Sequence, residues 1–325
     1  MKNMKTLMVS CLTLLLSTTI SAQNVSLVPN WIPGDNVGYK FVQKDIKKSG
    51  TQSSTEEKSM DINLKVVDKT SDGYTLNATF SNLSSNGSDE MIALLLKLTE
   101  GYSFDYKLDA SGKITGLADS TKAIADMKAM MDKAAKEDKT IAFLVQMMSA
   151  TMTDDLYLSG ILDEVNYIHS LNSVDFAGKK TADQTMKKGT IFGFSVDAPY
   201  HYTLQSVNGN YANIKTSAEI SNDLLMPAFV DFSIKMTVGM MNGLSGLFQK
   251  EGEEKVDMNK IMQEQRAELE KKFKETFDLK IVDNYTCSYD KSTQWLHSMN
   301  GSSSIKGKSE DKVIDATTQV TIKKK

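Results

Sequence analysis

The sequence predicts an α+β fold: a large, curved antiparallel β-sheet built from two pseudo-repeated halves, with long helices packed on one face. Three observations predict it. Apolar and polar residues alternate through segments near both ends of the chain, the period of strands with one buried face. Apolar residues at helical spacing fill 119–170 and 253–277. One hairpin pattern occurs twice, at 66–82 (VVDKTSDGYTLNATFSN) and 206–222 (SVNGNYANIKTSAEISN). Each runs from Val through a Gly-containing polar turn to Tyr and an alternating strand that ends in Ser-Asn.

Taken in order, residues 23–35 form a lead-in that ends in the turn Pro33-Gly34-Asp35. Val37, Tyr39 and Phe41 then share one strand face, with Lys40 and Lys44 opposite. Met60, Ile62, Leu64 and Val66 pair with Tyr74, Leu76, Ala78 and Phe80 as a hairpin, turned at Thr70-Ser71-Asp72-Gly73. Residues 89–99 suit a short helix ended by Gly101, and Tyr102 to Leu108 a strand that turns into Lys113-Ile114-Thr115. In 119–170, Ile124, Met127 and Met131 follow helix spacing, and 140–152 is apolar nearly all round. Residues 171–188 read as a polar loop. Strands return at 189–197, 199–207 and 211–221, the last two joined by Asn208-Gly209.

Residues 222–250 fit either element: Phe232, Ile234, Met236 and Val238 alternate, while Leu225, Phe229 and Phe232 suit a helix. Helix is favoured because Asn222 or Asp223 can cap it. Residues 253–277 form an amphipathic helix, with Glu268–Lys272 and Glu270–Lys274 as i,i+4 pairs. Strands near 279–290, 294–305 and 311–323 close the chain. The expected organisation is a signal peptide at 1–22 and one α+β domain over 23–325: a β half (33–118), a helical segment (119–170) and a second β half (186–323) with a helical insert (222–278).

Lys2, Lys5, the apolar run Leu7–Ile20 and Ala22 read as a secretory leader. The interrupting Ser and Thr residues leave it short of a membrane span, and no later segment is long and apolar enough. Ser10-Cys11 resembles the end of a lipobox, but Leu12 to Leu16 continue the apolar run past it. Cleavage after Ala22 is therefore expected, and a lipid anchor at Cys11 is the alternative. The mature chain is expected to be secreted or periplasmic. Losing Lys2 and Lys5 takes the net charge from −3 to −5, since no acid goes with them. Arg266 is the one arginine, so nucleic acid is an improbable partner. Cys287 alone survives cleavage, which excludes an internal disulfide.

Catalytic signatures are absent from the sequence. His169, His201 and His297 lie far apart, with no ligand-spaced Cys or His, so no metal and no cofactor is expected. Gly243-Leu244-Ser245-Gly246 misses the nucleophile elbow by one residue, and Ser288-x-x-Lys291 and Ser303-x-x-Lys306 lie in strand-and-turn regions. Asp154-Asp155, Asp163-Glu164 and Glu253-Glu254 are adjacent carboxylates that point in different directions on a helix, and read as solvated charge. Cys287, with Tyr285 and Tyr289 on its face, reads as a small buried apolar residue.

The compositional excess is 19 methionines, clustered at 127–152 and 236–262. Methionine suits a surface that repacks around varied apolar ligands; core filling is the alternative. The candidate ligand lining is Met127, Met131, Phe143, Leu144, Met147, Met148, Phe229, Phe232, Met236 and Met240.

The leader, the Pro33-Gly34-Asp35 entry strand, Tyr106-x-Leu108-Asp109-x-x-Gly112-Lys113-Ile114 and the late Tyr289-Asp290-Lys291-x-Thr293 turn resemble a domain-of-unknown-function family of secreted or lipid-anchored Gram-negative envelope proteins. Gln294 stands where that family's turn more typically has glycine. The resemblance implies an envelope location and no site residues. The sheet-plus-helix pattern is also similar, by fold analogy, to periplasmic lipoprotein carriers. The expected role is a non-catalytic extracytoplasmic binding protein for a lipid or other apolar small molecule. An envelope structural or protein-interaction module is the alternative, and a secreted hydrolase the third.

Overall fold

The computed structural model describes residues 25–49, 52–87, 100–137, 162–189, 194–248, 258–309 and 312–325, with 142 and 145. The leader, Cys11 and the expected helix at 89–99 lie outside the described residues.

One antiparallel sheet of eleven strands dominates: β1 (Asn36–Ser49), β2 (Gln52–Thr70), β3 (Gly73–Ser85), β4 (Ser103–Asp109), β5 (Ile114–Leu117), β6 (Thr181–Gly189), β7 (Ser195–Asn208), β8 (Tyr211–Ile220), β9 (Phe277–Asp290), β10 (Trp295–Ser309) and β11 (Lys312–Lys324). Their order is β5-β4-β3-β2-β1-β11-β10-β9-β8-β7-β6. The chain runs outward from β1 to one edge and re-enters at the other edge. It then meanders back until β11 pairs with β1, with Phe41 opposite Ile322. The helices are α1 (Ser120–Glu137), α2 (162–168), α3 (Asn222–Phe248), α4 (Met258–Glu264) and α5 (Arg266–Thr276).

The alternation works as the sequence predicts. On β9, Leu279, Ile281, Asp283, Tyr285, Cys287 and Tyr289 are buried, while Lys280, Asn284 and Thr286 face solvent. The hairpin turns fall at Thr70–Gly73 and Asn208–Tyr211, where Gly209 supplies a φ of +58°. The ion pairs Lys272–Glu268 (2.8 Å) and Lys274–Glu270 (3.2 Å) lie on α5.

Three expectations need correction. The polar stretch 181–189 is strand β6, not loop, and β7 runs unbroken through Pro199. Pro199 is tolerated because it pairs only with Thr185 of β6. The ladder with β8 starts one residue later, at Tyr200–Ala218, so no bond to β8 is lost. Residues 222–248 are helix, but Asn222 does not cap it. Its side chain clamps the start of β9 instead, donating to Phe277 O (2.8 Å) and accepting from Leu279 N (3.1 Å). The helix expected over 253–277 is two helices that meet at Gln265, and β9 begins at Phe277.

The lead-in is part of the core. Val25, Leu27 and Trp31 are buried, with Trp31 stacked on Trp295 at 3.8 Å. Buried irregular backbone needs partners, and tyrosines of the sheet supply them. Tyr74 donates to Pro29 O (2.7 Å), Tyr289 to Leu27 O (2.9 Å) and Tyr39 to Leu296 O (3.0 Å). The buried apolar residues fall into two clusters. The larger holds Trp31, Phe41 and Met299; the smaller holds Leu225, Ile281 and Ile305 beneath α3 and α5.

Candidate functional site

The register explains why there are two clusters. Residues directly opposite in neighbouring strands share a face, so rows of side chains can be read across the sheet. Phe41, Ile322, Met299, Cys287, Ile214 and Leu204 form an apolar row. The row two residues along is mixed: Gln43, Val320, Gly301, Tyr285, Thr216 and Tyr202. The next is polar: Asp45, Thr318, Ser303, Asp283, Ala218 and Tyr200. Beyond it, Ala316, Ile305, Ile281 and Ile220 are apolar again. A polar belt thus crosses the covered face and separates the two clusters. Among the described residues, five of the nine buried polar ones, Lys188, Thr216, Asp283, Ser303 and Thr318, lie on or beside it.

Over this belt sits a cavity of about 180 Å³, roofed by 163–170 and floored by the rows just described. Lys58 and Glu164 pair at 3.1 Å on one side of it. Deeper in, Lys188 Nζ lies 3.0 Å from Asp283 Oδ2, and both side chains are almost wholly buried. The same carboxylate oxygen accepts from the Tyr200 hydroxyl at 2.6 Å. Lys188 also sits over the rings of Tyr167 (5.8 Å) and Tyr285 (5.9 Å). Two nearby glycines allow close packing, Gly301 against the backbone of β9 and Gly189 against Asp163 on the cavity wall. A Cβ on Gly301 would meet Asn284 O at 2.1 Å and the Tyr285 ring at 2.7 Å. A Cβ on Gly189 would meet the Asp163 carboxylate at 2.8 Å.

Three buried hydroxyls on the wall make no hydrogen bond of good geometry among the described residues: Ser170 Oγ, Thr216 Oγ1, which lies beside the Cys287 thiol, and Tyr285 OH, which lies beside Tyr167. Asp283 Oδ1 is unpartnered as well, but Asp283 lies beneath the wall rather than on it. Unmade hydrogen bonds on buried groups cost of order 1–3 kcal/mol each, so a concentration of them marks a place that something polar occupies.

The electrostatics are finely opposed. Burial would lower the pKa of Lys58, but Glu164, Asp45 and Asp163 outweigh it and leave it raised. Burial acts the same way on Lys188, and Tyr167, Asp283 and Asp163 outweigh it. Asp163 is pushed up to about 7 by crowding against protein and by Glu164, against the pull of Lys58 and Lys188. Because Asp163 is exposed on its outer side, water screens this shift.

The sequence-predicted lining is not brought together at this cavity. Met127 of α1 packs on the larger cluster, and Met131 of the same helix is buried. Phe229 and Phe232 of α3 pack on the smaller one, with Phe229 5.1 Å from Phe273. Met236 is half-buried on α3. Phe143, Leu144, Met147, Met148 and the side chain of Met240 lie outside the described residues. None of the five described ones lines the cavity. Of the carboxylate pairs, Asp163-Glu164 lines the cavity, and adjacency was the only sequence signal for it; Asp154-Asp155 and Glu253-Glu254 lie outside the described residues. Lys188, Asp283 and Tyr200 left no such signal.

The histidines lie apart. His169 is enclosed in the core between Tyr106 OH (2.7 Å) and Asn172 Nδ2 (3.0 Å), and burial pushes its pKa down to about 3. His201 pairs with Asp183 on the surface at 2.5 Å, and His297 is exposed beside Tyr211. Among the described residues, no three His, Cys, Asp or Glu side chains converge to hold a metal. No helix among them is long and apolar enough to cross a membrane.

No family model and no curated protein matches the chain. Among solved structures, one titled lipid–protein interactions in lipovitellin aligns over 91% of this chain and 25% of its own length, at 8% identity and a TM-score of 0.44. The chain thus spans a quarter of that protein, and a likeness at this level carries no argument about function.

Proposed function

We propose that the chain is a non-catalytic extracytoplasmic binding protein that holds an amphiphilic ligand, a lipid or similar molecule, with its polar group in the belt cavity. The observation that carries this reading is the cavity itself: a partly apolar space between two apolar clusters, with unpartnered buried hydroxyls on its wall. Phe41, Met299, Ile281 and Ile305 offer apolar contact beside the polar groups. A nucleophile needs a base within hydrogen-bond reach, and Ser170 and Thr216 have none among the described residues, which favours binding over hydrolysis. The leader-like residues 1–22 and the resemblance to envelope proteins support an extracytoplasmic site of action.

The two pseudo-repeated halves belong to the same proposal. Moving β1–β5 six places along the sheet superposes their order on β6–β10. The β4–β5 and β9–β10 turns are also alike: Asp109 and Asp290 each accept from the N–H and hydroxyl of the residue two further on. Gln294, where the resembled family more typically has glycine, holds a φ of +59°.

Native mass spectrometry on protein purified without detergent tests the function. A co-purifying molecule that is lost in Ser170→Phe, with an unchanged melting temperature, is expected. A bare polypeptide mass, with no uptake of added fatty acid or phospholipid, would overturn the reading.

A further inference from the structure

We infer that the group this cavity takes is zwitterionic, with its anionic end deepest and its cationic end at the mouth. This rests on the binding reading above and names the chemistry of the ligand. The deep wall presents donors. Lys188 is an ammonium that cannot accept a hydrogen bond, and only one of its N–H groups is used by Asp283. Thr216 and Tyr285 are 3% and 4% exposed, lie opposite each other in register, and have only the Cys287 thiol and the Tyr167 hydroxyl beside them, neither in good hydrogen-bond geometry. Ser170 Oγ meets them from the roof, also unpartnered. The hydroxyls can donate or accept but the Lys188 ammonium can only donate, so a carboxylate or phosphate oxygen is the group that answers all four at once.

The mouth has the opposite sign. Asp163 and Glu164 lie there side by side, facing Lys58, Lys188 and Gly189. Lys58 is taken by Glu164 at 3.1 Å, and the exposed Lys187 lies 3.8 Å from Asp197. Asp163 has no ion-pair partner within 4 Å among the described residues. The remaining charges near the belt are Asp45, held by Gln43 (2.8 Å) and Thr318 (2.6 Å), and Asp283, held by Lys188 and Tyr200. The free donors are therefore deep, and the free acceptor is at the rim. The volume of about 180 Å³ suits a group in which two to four atoms separate the charges. A dry cavity of about 150 Å³ takes a benzene ring. An amino acid and a phosphoethanolamine head group share this chemistry.

The test is titration calorimetry on the purified protein with five probes. They are O-phosphoethanolamine, dihexanoyl-phosphatidylethanolamine, L-alanine, ethylamine (cation alone) and inorganic phosphate (anion alone). At least one zwitterion should bind tenfold or more tightly than either half. Thr216→Val combined with Tyr285→Phe should weaken it tenfold or more, with the melting temperature monitored to confirm folding. Its affinity should rise from pH 5 to pH 8 as Asp163 deprotonates, and Asp163→Asn should flatten that profile. Tight binding confined to the lipid assigns the group to a membrane head group; tight binding of L-alanine or free O-phosphoethanolamine assigns it to a soluble metabolite. Phosphate binding as tightly as the zwitterions would overturn the inference. So would zwitterion binding that is indifferent to the Thr216 and Tyr285 changes. If no probe binds while the co-purifying ligand persists, the inference fails and the binding reading stands; if neither is seen, both fail.

Discussion

Lys188→Met should destabilise the protein strongly, and Lys188→Met with Asp283→Leu should not. The Lys188 and Asp283 side chains are 6% and 0% exposed and meet at 3.0 Å. Removing the ammonium leaves a fully buried carboxylate whose one remaining neutral donor is the Tyr200 hydroxyl. Breaking a buried pair from one side costs about 3–5 kcal/mol, because the surviving charge is stranded. Loss of the ammonium from the Tyr167 and Tyr285 rings adds about 1–2 kcal/mol. With an unfolding entropy of about 2 cal/mol/K per residue, about 250 residues give about 0.5 kcal/mol per degree. A loss of about 4–7 kcal/mol then lowers the melting temperature by about 8–14 °C. Replacing both partners removes the stranded charge, so the double variant should recover most of the loss or exceed the parent. Tyr200→Phe should help it further, since that hydroxyl would otherwise lose its acceptor. Urea and thermal unfolding followed by circular dichroism measure all four corners of the cycle. A single-variant cost below about 1 kcal/mol would refute the reasoning, as would a double variant no better than Lys188→Met.

Three further outcomes are expected. His169 is neutral in the folded state, with its pKa pushed down to about 3 by burial, while an unfolded histidine titrates near 6.5. The unfolded chain binds the extra proton between those values, so stability falls as pH drops from about 6.5 to 3, by up to roughly 5 kcal/mol. His169→Phe should flatten that limb of a pH–stability curve. Cys287 is buried and its thiol is pushed up to about 12, so thiol reagents should label it only on unfolding; rapid labelling of native protein would contradict the packing. Gly301→Ala places a methyl 2.1 Å from Asn284 O, and denaturant titration should register a loss of about 2–3 kcal/mol with β9 and β10 forced apart.

Strand alternation around Met60–Val66 and Tyr74–Phe80, the Asn208-Gly209 turn and the Glu268–Lys272 pair are all local, and the chain realises each where its sequence indicates. Such features depend on residues two to four positions apart, so local pattern carries them. Strand β6 was illegible because its TADQTMKK stretch has no strong apolar alternation; it is an edge strand, half covered. The passage of β7 through Pro199 depends on where β8 stops, which no residue of β7 encodes.

The methionines show the same limit. Helical spacing places Met127 and Met131 on one face of α1, but which cluster that face joins is set by packing.

By itself, then, the sequence determined the alternation, the main turns, most of the helical stretches and, through its one arginine, the absence of an arginine-rich surface. Tertiary structure alone decided the site. Asp45, Tyr200, Asp283, Ser303 and Thr318 come from five strands, and each looks like an ordinary inward position of its own strand. Only the register of five antiparallel ladders lines them up as one polar row, because cross-strand neighbours are fixed by pairing and not by distance along the chain.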